Sequence, residues 1–257
     1  PRTEENYKEA YDKADQMLDS IHSMVKKHSD LADLALTAND ASRIEKSGKR
    51  AVYIGMENGF PIAKDINRIQ EFYDRGVRYI TLCHSFHNDI CDSSSDSDAP
   101  EHNGISGFGQ KVISEMNRLG MIIDVSHASD KSFFDVIKFS KAPVIASHSS
   151  VRSVCMHDRN MSDEMIKALA KNGGVIQICL LDVYVKEPDT TKVRYQLEQK
   201  LRKSYKANYK NMTDAEKQKH HEQWDYLQKN YLDQLPTVKD LVHHIDYVKK
   251  LVGVDYV

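Results

Sequence analysis

Apolar residues recur along this chain with two different spacings. In the first 46 or so residues they fall at helical intervals in a charged background, which predicts one long helix and then a shorter one. From Arg50 onward, short apolar runs alternate with amphipathic stretches. The runs predict strands at Ala51–Met56, Tyr79–Cys83, Met121–Val125, Pro143–Ala146 and Val175–Cys179. The stretches between them predict helices near Asp65–Arg75, Gly109–Leu119, Lys131–Ser140 and Asp163–Lys171.

Repeated strand–helix units with nearly continuous apolar strands predict a parallel sheet that is covered by helices. This pattern fits a doubly wound sheet and a barrel equally well. The alternation of apolar runs and amphipathic stretches stops at about Lys186–Leu235. This segment is rich in charged and amide side chains and is interpreted as a helical insertion outside the sheet. An amphipathic helix is expected again at Thr237–Leu251, and Gly253–Val257 is expected to begin the next strand.

Side chains that can bind a metal or move a proton follow four consecutive predicted strands. They are Glu57, His84, His127 and His148. A single histidine at a strand end is more often a structural residue that is satisfied by hydrogen bonds. Four such residues, each at the carboxyl end of its strand, indicate a shared site instead. In a parallel barrel the carboxyl ends of the strands open on one face, and the active site lies on that face.

Two imidazoles and a carboxylate suit Zn²⁺ better than metal ions that prefer only oxygen ligands. Three protein ligands leave a position for water, whose pKa falls towards ~7 on zinc, and this chemistry predicts hydrolysis. The sequence has no GxGxxG, P-loop, GxSxG or HExxH motif. His243 and His244 lie on a predicted helix and are expected to face solvent rather than a metal.

Charge and cysteine content narrow the choice of partners. The chain has 36 basic and 38 acidic residues and a formal charge of -2, which argues against a nucleic-acid partner and a polybasic membrane patch. A small neutral or zwitterionic ligand fits better. No apolar run approaches the ~20 residues of a membrane span. Four cysteines without a CxxC pair are expected to be isolated reduced thiols: Cys83, Cys91, Cys155 and Cys179.

Several of these stretches resemble the renal (membrane) dipeptidase family of zinc peptidases. The strongest are YIGMENG, YITLCHSFHNDICDSSSD, GQKVISEMNRLGMIIDVSHAS and APVIASHSSVRSVCMHDRNMSDEMI. The resemblance implies a TIM-like (β/α)₈ barrel of the metal-dependent hydrolase type. Residues 1–257 would then form one α/β-barrel domain, with the insertion at about 186–235. Two zinc ions would be expected at the mouth of the intact family barrel.

The resemblance also implies a role for each site residue. Glu57 would bridge both zinc ions, and His127 and His148 would complete the second zinc site. His84 would face the substrate and help to stabilise the tetrahedral intermediate. Arg159 would bind the carboxylate of the dipeptide's C-terminal residue, although sequence chemistry alone divides this role almost evenly between Arg159 and Arg152.

Two family motifs have no counterpart in this sequence. No His-x-Asp motif follows a predicted strand ahead of Glu57, because His22 and His28 lie in helical sequence. The Gly-rich D-F-D-G stretch that carries the family's acid/base aspartate is absent. The barrel is therefore expected to be incomplete at both ends, and at most one zinc ion is expected per chain.

The leading hypothesis is a metallo-dipeptidase in which zinc-bound hydroxide attacks the peptide carbonyl of a small dipeptide. One alternative is another amidohydrolase-type, metal-dependent hydrolase that reuses the same ligands. The other is a non-catalytic barrel scaffold that lacks the first zinc site. A homodimer is also expected from the resemblance.

Overall fold

The computed structural model describes residues 2–208, 212–232 and 235–257. Helices are α1 (Glu4–Lys27), α2 (Ala38–Lys46), α3 (Asn67–Asp74), α4 (Gly107–Leu119), α5 (Asp130–Phe139), α6 (Asp163–Lys171), α7 (Asp182–Val185), α8 (Val193–Asn208), α9 (Asp214–Asn230) and α10 (Val238–Val252). Strands are β1 (Ala32–Leu34), β2 (Arg50–Val52), β3 (Ile54–Glu57), β4 (Val77–Thr81), β5 (Ile122–Asp124), β6 (Ile145–Ser149) and β7 (Val175–Ile178). Short 3₁₀ helices occupy Phe60–Ile62 and Val254–Tyr256.

Five parallel strands form the main sheet in the order β3-β4-β5-β6-β7. A doubly wound sheet reverses its strand order at a switch point, whereas this order is sequential throughout. Because parallel crossovers are right-handed, sequential order places α3, α4, α5 and α6 on the same face of the sheet. The fold is therefore of the α/β-barrel type, and this choice could not be made from the hydrophobic pattern alone.

The hydrophobic core lies between the crossover helices and the five-stranded sheet. Each crossover helix buries one apolar stripe against the strands, including Phe72 of α3, Met116 of α4, Phe133 of α5 and Ile166 of α6. The helices α4, α5 and α6 begin at the serine caps Ser106, Ser129 and Ser162, each of which accepts a hydrogen bond from a main-chain N–H of the first turn. These caps fix the point at which each polypeptide segment leaves the carboxyl edge of the sheet.

The N-terminal segment differs from the sequence prediction in two ways. Both predicted helices are present, but β1 lies between them and pairs in parallel with β2. The predicted strand Ala51–Met56 is also divided at Tyr53, because β2 pairs with β1 while β3 pairs with β4. A three-residue strand is too short to show a period of two, so its pairing partner decides its conformation.

The segment expected to be a helical insertion contains α8 and α9, which pack against each other. The aromatic rings of Tyr205 and His220 stack between them at 4.5 Å. Positions 209–211 and 233–234 of the predicted insertion lie outside the described residues. Among the described helices, none is both long and apolar enough to cross a membrane.

Helix α10 packs beside α6 and β7, so it continues the outer layer of helices. The prediction of a strand at Gly253–Val257 is wrong, because a 3₁₀ helix occupies Val254–Tyr256. The apolar and aromatic residues suggested a strand there. A strand requires a neighbouring strand for its main-chain hydrogen bonds, and among the described residues none pairs with this segment.

Candidate metal centre

Three side chains meet at the carboxyl edge of the sheet, from β3, from the turn after β5 and from β6. His127 Nε2 lies 3.2 Å from Glu57 Oε1 and 2.9 Å from His148 Nε2. His148 Nε2 lies 3.1 Å from the same Glu57 oxygen. The three potential ligand atoms thus form a nearly equilateral triangle, and among the described residues they are the one group of three that could hold a metal ion.

This donor set fits a zinc ion. Ligand atoms at ~2.0–2.2 Å from a tetrahedral zinc lie ~3.3–3.6 Å apart, and the three separations found here are a few tenths of an ångström shorter. Two imidazole nitrogens and one carboxylate oxygen are also ligands that zinc accepts readily. A small opening of the triangle would admit the ion.

The turns that carry the ligands have unusual backbone conformations. His127 has φ 70°, a left-handed value that is uncommon for a residue with a side chain. Its carbonyl accepts a hydrogen bond from Ser94 N at 2.8 Å, which holds the turn in place. Asn58, directly after Glu57, has φ 85°, and its side-chain oxygen accepts a hydrogen bond from Phe60 N at 3.1 Å. Strained conformations of this kind are concentrated at functional sites.

Burial keeps both imidazoles neutral, which is the form that binds a metal. Burial lowers the pKa of His127 to about 2, and the Arg159 guanidinium and the other two histidines act in the same direction. Burial also lowers the pKa of His148. Neither ring needs to lose a proton at neutral pH before it accepts a cation.

The buried histidine predicts an acid-sensitive fold in the metal-free protein. Between a pKa of about 2 in the folded state and ~6.5 in the unfolded state, His127 binds more protons when the chain is unfolded. The free energy of unfolding should therefore fall as pH decreases from 6.5, with this residue contributing up to ~1.4 kcal/mol per pH unit. Urea unfolding in EDTA at pH 6.5 and 5 measures this slope.

The matched control is His127→Gln, which cannot take up the proton. Its slope should be shallower than that of the parent chain. Equal slopes in the two proteins would show that His127 is not held neutral by the fold.

His84 lies beside the triangle and is more exposed. Its Nε2 is 3.6 Å from Glu57 Oε1, and its ring centroid is 4.1 Å from that of His127. The side chain is 47% accessible and lines a cavity of about 810 Å³ that extends towards the start of α1. His84 therefore lies between this cavity and the triangle.

The two candidate arginines have very different environments. Arg152 forms a two-pronged salt bridge with Asp130, with both N···O distances 2.7 Å, and donates through Nε to Asn160 O. Arg159 is 4% exposed and donates through one Nη to His148 O at 3.2 Å. Its Nε is buried and bonds to no other described group. Of the two, Arg159 has the free hydrogen-bond donor.

Other polar residues have structural partners. His244 is fully buried, so the prediction that it faces solvent is wrong. Its ring accepts a hydrogen bond from Val151 N at 3.1 Å and donates to Val185 O at 2.8 Å, which ties α10 to the loop after β6. All four cysteines are free, as predicted. Cys83 and Cys91 are not isolated from each other, because the neighbouring Cys83 thiol and burial raise the pKa of the Cys91 thiol.

The sequence model of the membrane dipeptidases, peptidase family M19, matches residues 1–257. Over 166 residues the chain is 41% identical to dipeptidase verJ of Clonostachys rogersoniana, an overlap of 65% of this chain and 42% of that protein. Over 205 residues it is 35% identical to dipeptidase ataJ of Aspergillus terreus, covering 73% and 50% of the two chains. The chain thus spans about half the length, or less, of these curated relatives.

The fold is also similar to that of a solved structure. The probable dipeptidase PvdM of Pseudomonas aeruginosa superposes with a TM-score of 0.80 and 26% sequence identity. The superposition covers 97% of this chain and 66% of that protein. The sequential parallel sheet described above therefore also occurs in that probable dipeptidase.

Proposed function

Because this chain belongs to the membrane dipeptidase family, peptidase family M19, we propose that it carries a zinc site for the hydrolysis of dipeptides. The observation that carries the proposal is the triangle of Glu57, His127 and His148 at the carboxyl edge of the sheet. In barrel enzymes this edge is where catalytic groups collect. The two curated relatives described above are both named dipeptidases, which supports the same reaction.

The triangle would hold one zinc ion through one carboxylate oxygen and two neutral imidazoles. A bound zinc ion supplies Lewis acidity and lowers the pKa of a coordinated water, which is the chemistry that peptide hydrolysis needs. The protein's own contribution is to hold the three ligand atoms in place before the ion arrives. The left-handed turn at His127 does this at one corner of the triangle.

His84 is proposed to contact the substrate at the edge of the metal site. Its Nδ1 lies 2.9 Å from Ser85 Oγ, and when that hydroxyl donates to Nδ1 the ring proton is on Nε2. A donor at Nε2 lies 3.6 Å from Glu57 Oε1, at the edge of the metal site, so it can stabilise negative charge that develops on a carbonyl oxygen there.

Arg159 is proposed to bind the free carboxylate of the dipeptide. A guanidinium with an unused, buried donor favours an anionic partner, and a carboxylate matches its planar geometry. Recognition of a free carboxylate one residue beyond the scissile bond selects dipeptides over longer peptides. The Arg152 alternative is not favoured, because its guanidinium is already paired with Asp130.

Substrate selection gives a direct test of this function. The zinc-loaded full-length protein should hydrolyse an unblocked dipeptide such as Ala-Leu and should act poorly on Ala-Leu amide and Ala-Leu-Ala. Release of free amino acids measures all three rates. Zinc binding with preference for the amide or the tripeptide would favour another type of amidohydrolase. A protein that binds no zinc would favour the non-catalytic barrel scaffold.

The homodimer that the family resemblance implies stays a prediction.

A further inference from the structure

A buried carboxylate lies behind the metal triangle and does not belong to it. Asp124, at the end of β5, is fully buried between β4 and β6. One carboxylate oxygen accepts hydrogen bonds from Ser126 N and Ser147 N, both at 3.0 Å. The other accepts from Thr81 Oγ1 and Ser147 Oγ, both at 2.6 Å. Four donors therefore converge on this carboxylate.

The hydroxyl of Ser147 connects Asp124 to the metal site. Ser147 Oγ is 2.7 Å from His148 Nδ1, on the side of the ring opposite the triangle. A serine hydroxyl has one hydrogen, and in this arrangement Ser147 donates it to the Asp124 carboxylate. Its oxygen can then only accept from His148, so the imidazole proton must be on Nδ1.

We propose that Asp124 and Ser147 form a relay that fixes His148 as the tautomer with Nδ1 protonated. In this tautomer Nε2 is unprotonated, and its lone pair faces Glu57 and His127, where it can bind a metal ion. When one ring nitrogen of a ligand histidine donates a hydrogen bond to a fixed acceptor, the other ring nitrogen becomes more basic and the ring is held in one orientation. Asp124 and Ser147 are positioning residues, and the inference rests on the proposed metal site.

The second imidazole of the triangle lacks this support. His127 Nδ1 is buried and bonds to no other described group. On the side of the ring away from the triangle, the protein therefore orients one ligand histidine through a hydrogen bond and not the other. His148 should for this reason contribute more to the preorganisation of the site, and Ser147 should matter more for affinity than its distance from the ion suggests.

Ser147→Ala should weaken zinc binding by ~10-fold or more, the usual cost of losing an outer hydrogen-bond partner of a ligand histidine. Ser147→Thr keeps the hydroxyl and should restore most of the affinity. The matched control is Ser126→Ala, because Ser126 Oγ accepts from the His148 main-chain N–H at 3.0 Å rather than from its ring. Competition with a zinc-binding dye measures each affinity.

Nitrogen NMR of the metal-free chain reads the tautomer without using zinc or activity. The His148 ring should carry its proton on Nδ1, and Ser147→Ala should lose this preference. A parent ring protonated on Nε2 would overturn the relay, even if the serine variant did not fold. Zinc affinity in Ser147→Ala equal to that of the parent would also overturn it. A parent chain that binds no zinc but keeps the Nδ1 proton would instead contradict only the proposed function.

Discussion

Replacing His148 with alanine should remove most zinc binding from this chain. His148 supplies one of three ligand atoms, and two protein ligands do not make a stable zinc site. The loss should exceed the ~10–100-fold that is typical for an outer hydrogen-bond partner. Elemental analysis after dialysis against dilute zinc, together with dye competition, measures both stoichiometry and affinity.

His84→Ala is the informative comparison. His84 is 3.6 Å from the Glu57 carboxylate but is assigned to the substrate and not to the ion, so this variant should retain zinc. Loss of zinc from both variants to the same extent would make His84 a ligand. Retention in both would place the ion elsewhere.

The parent chain should bind at most one zinc ion. The most plausible additional ligands lie in the loop after His84, but they are engaged in structural hydrogen bonds. Asp92 accepts from three main-chain N–H groups, of Glu101, His102 and Gly104. His87 Nδ1 accepts from Ser93 N at 2.9 Å. Two tightly held zinc ions would show that this loop rearranges to bind metal.

Much of the fold could be predicted from the sequence, because the central strands are apolar runs that separate amphipathic helices. Strand ends could be placed only to within a few residues. The strand predicted at Pro143–Ala146 is shifted to Ile145–Ser149, so His148 lies within β6 rather than after it. Strand β1 was missed because pairing with β2, and not its own pattern, determines it.

The site could be predicted in part for a similar reason. Glu57 and His148 lie at the edge of the sheet because the strands are parallel and in sequential order. The Asp124 relay could not be found in this way, since an aspartate at a strand end looks like any turn residue. Only the positions of Thr81 and Ser147 on the two neighbouring strands reveal its partners.

Arg159→Ala should abolish discrimination between a dipeptide and its C-terminal amide. Removing one member of a buried, hydrogen-bonded charge pair costs about 2–5 kcal/mol, which corresponds to ~30-fold or more in kcat/KM for the dipeptide. The amide has no carboxylate for Arg159 to bind, so kcat/KM for the amide should change much less in this variant. The ratio of the two kcat/KM values, measured on the zinc-loaded full-length protein, reports this directly.

Arg152→Ala separates substrate recognition from folding. Arg152 is paired with Asp130 and supports the same loop through Asn160 O, so its loss should lower stability. It should leave the dipeptide-to-amide ratio high, because Arg159 still has its free donor. Arg159→Lys should recover only part of the discrimination, since an ammonium group cannot match a carboxylate with two parallel hydrogen bonds. A ratio that collapses in Arg152→Ala and survives in Arg159→Ala would reverse the assignment of the carboxylate site.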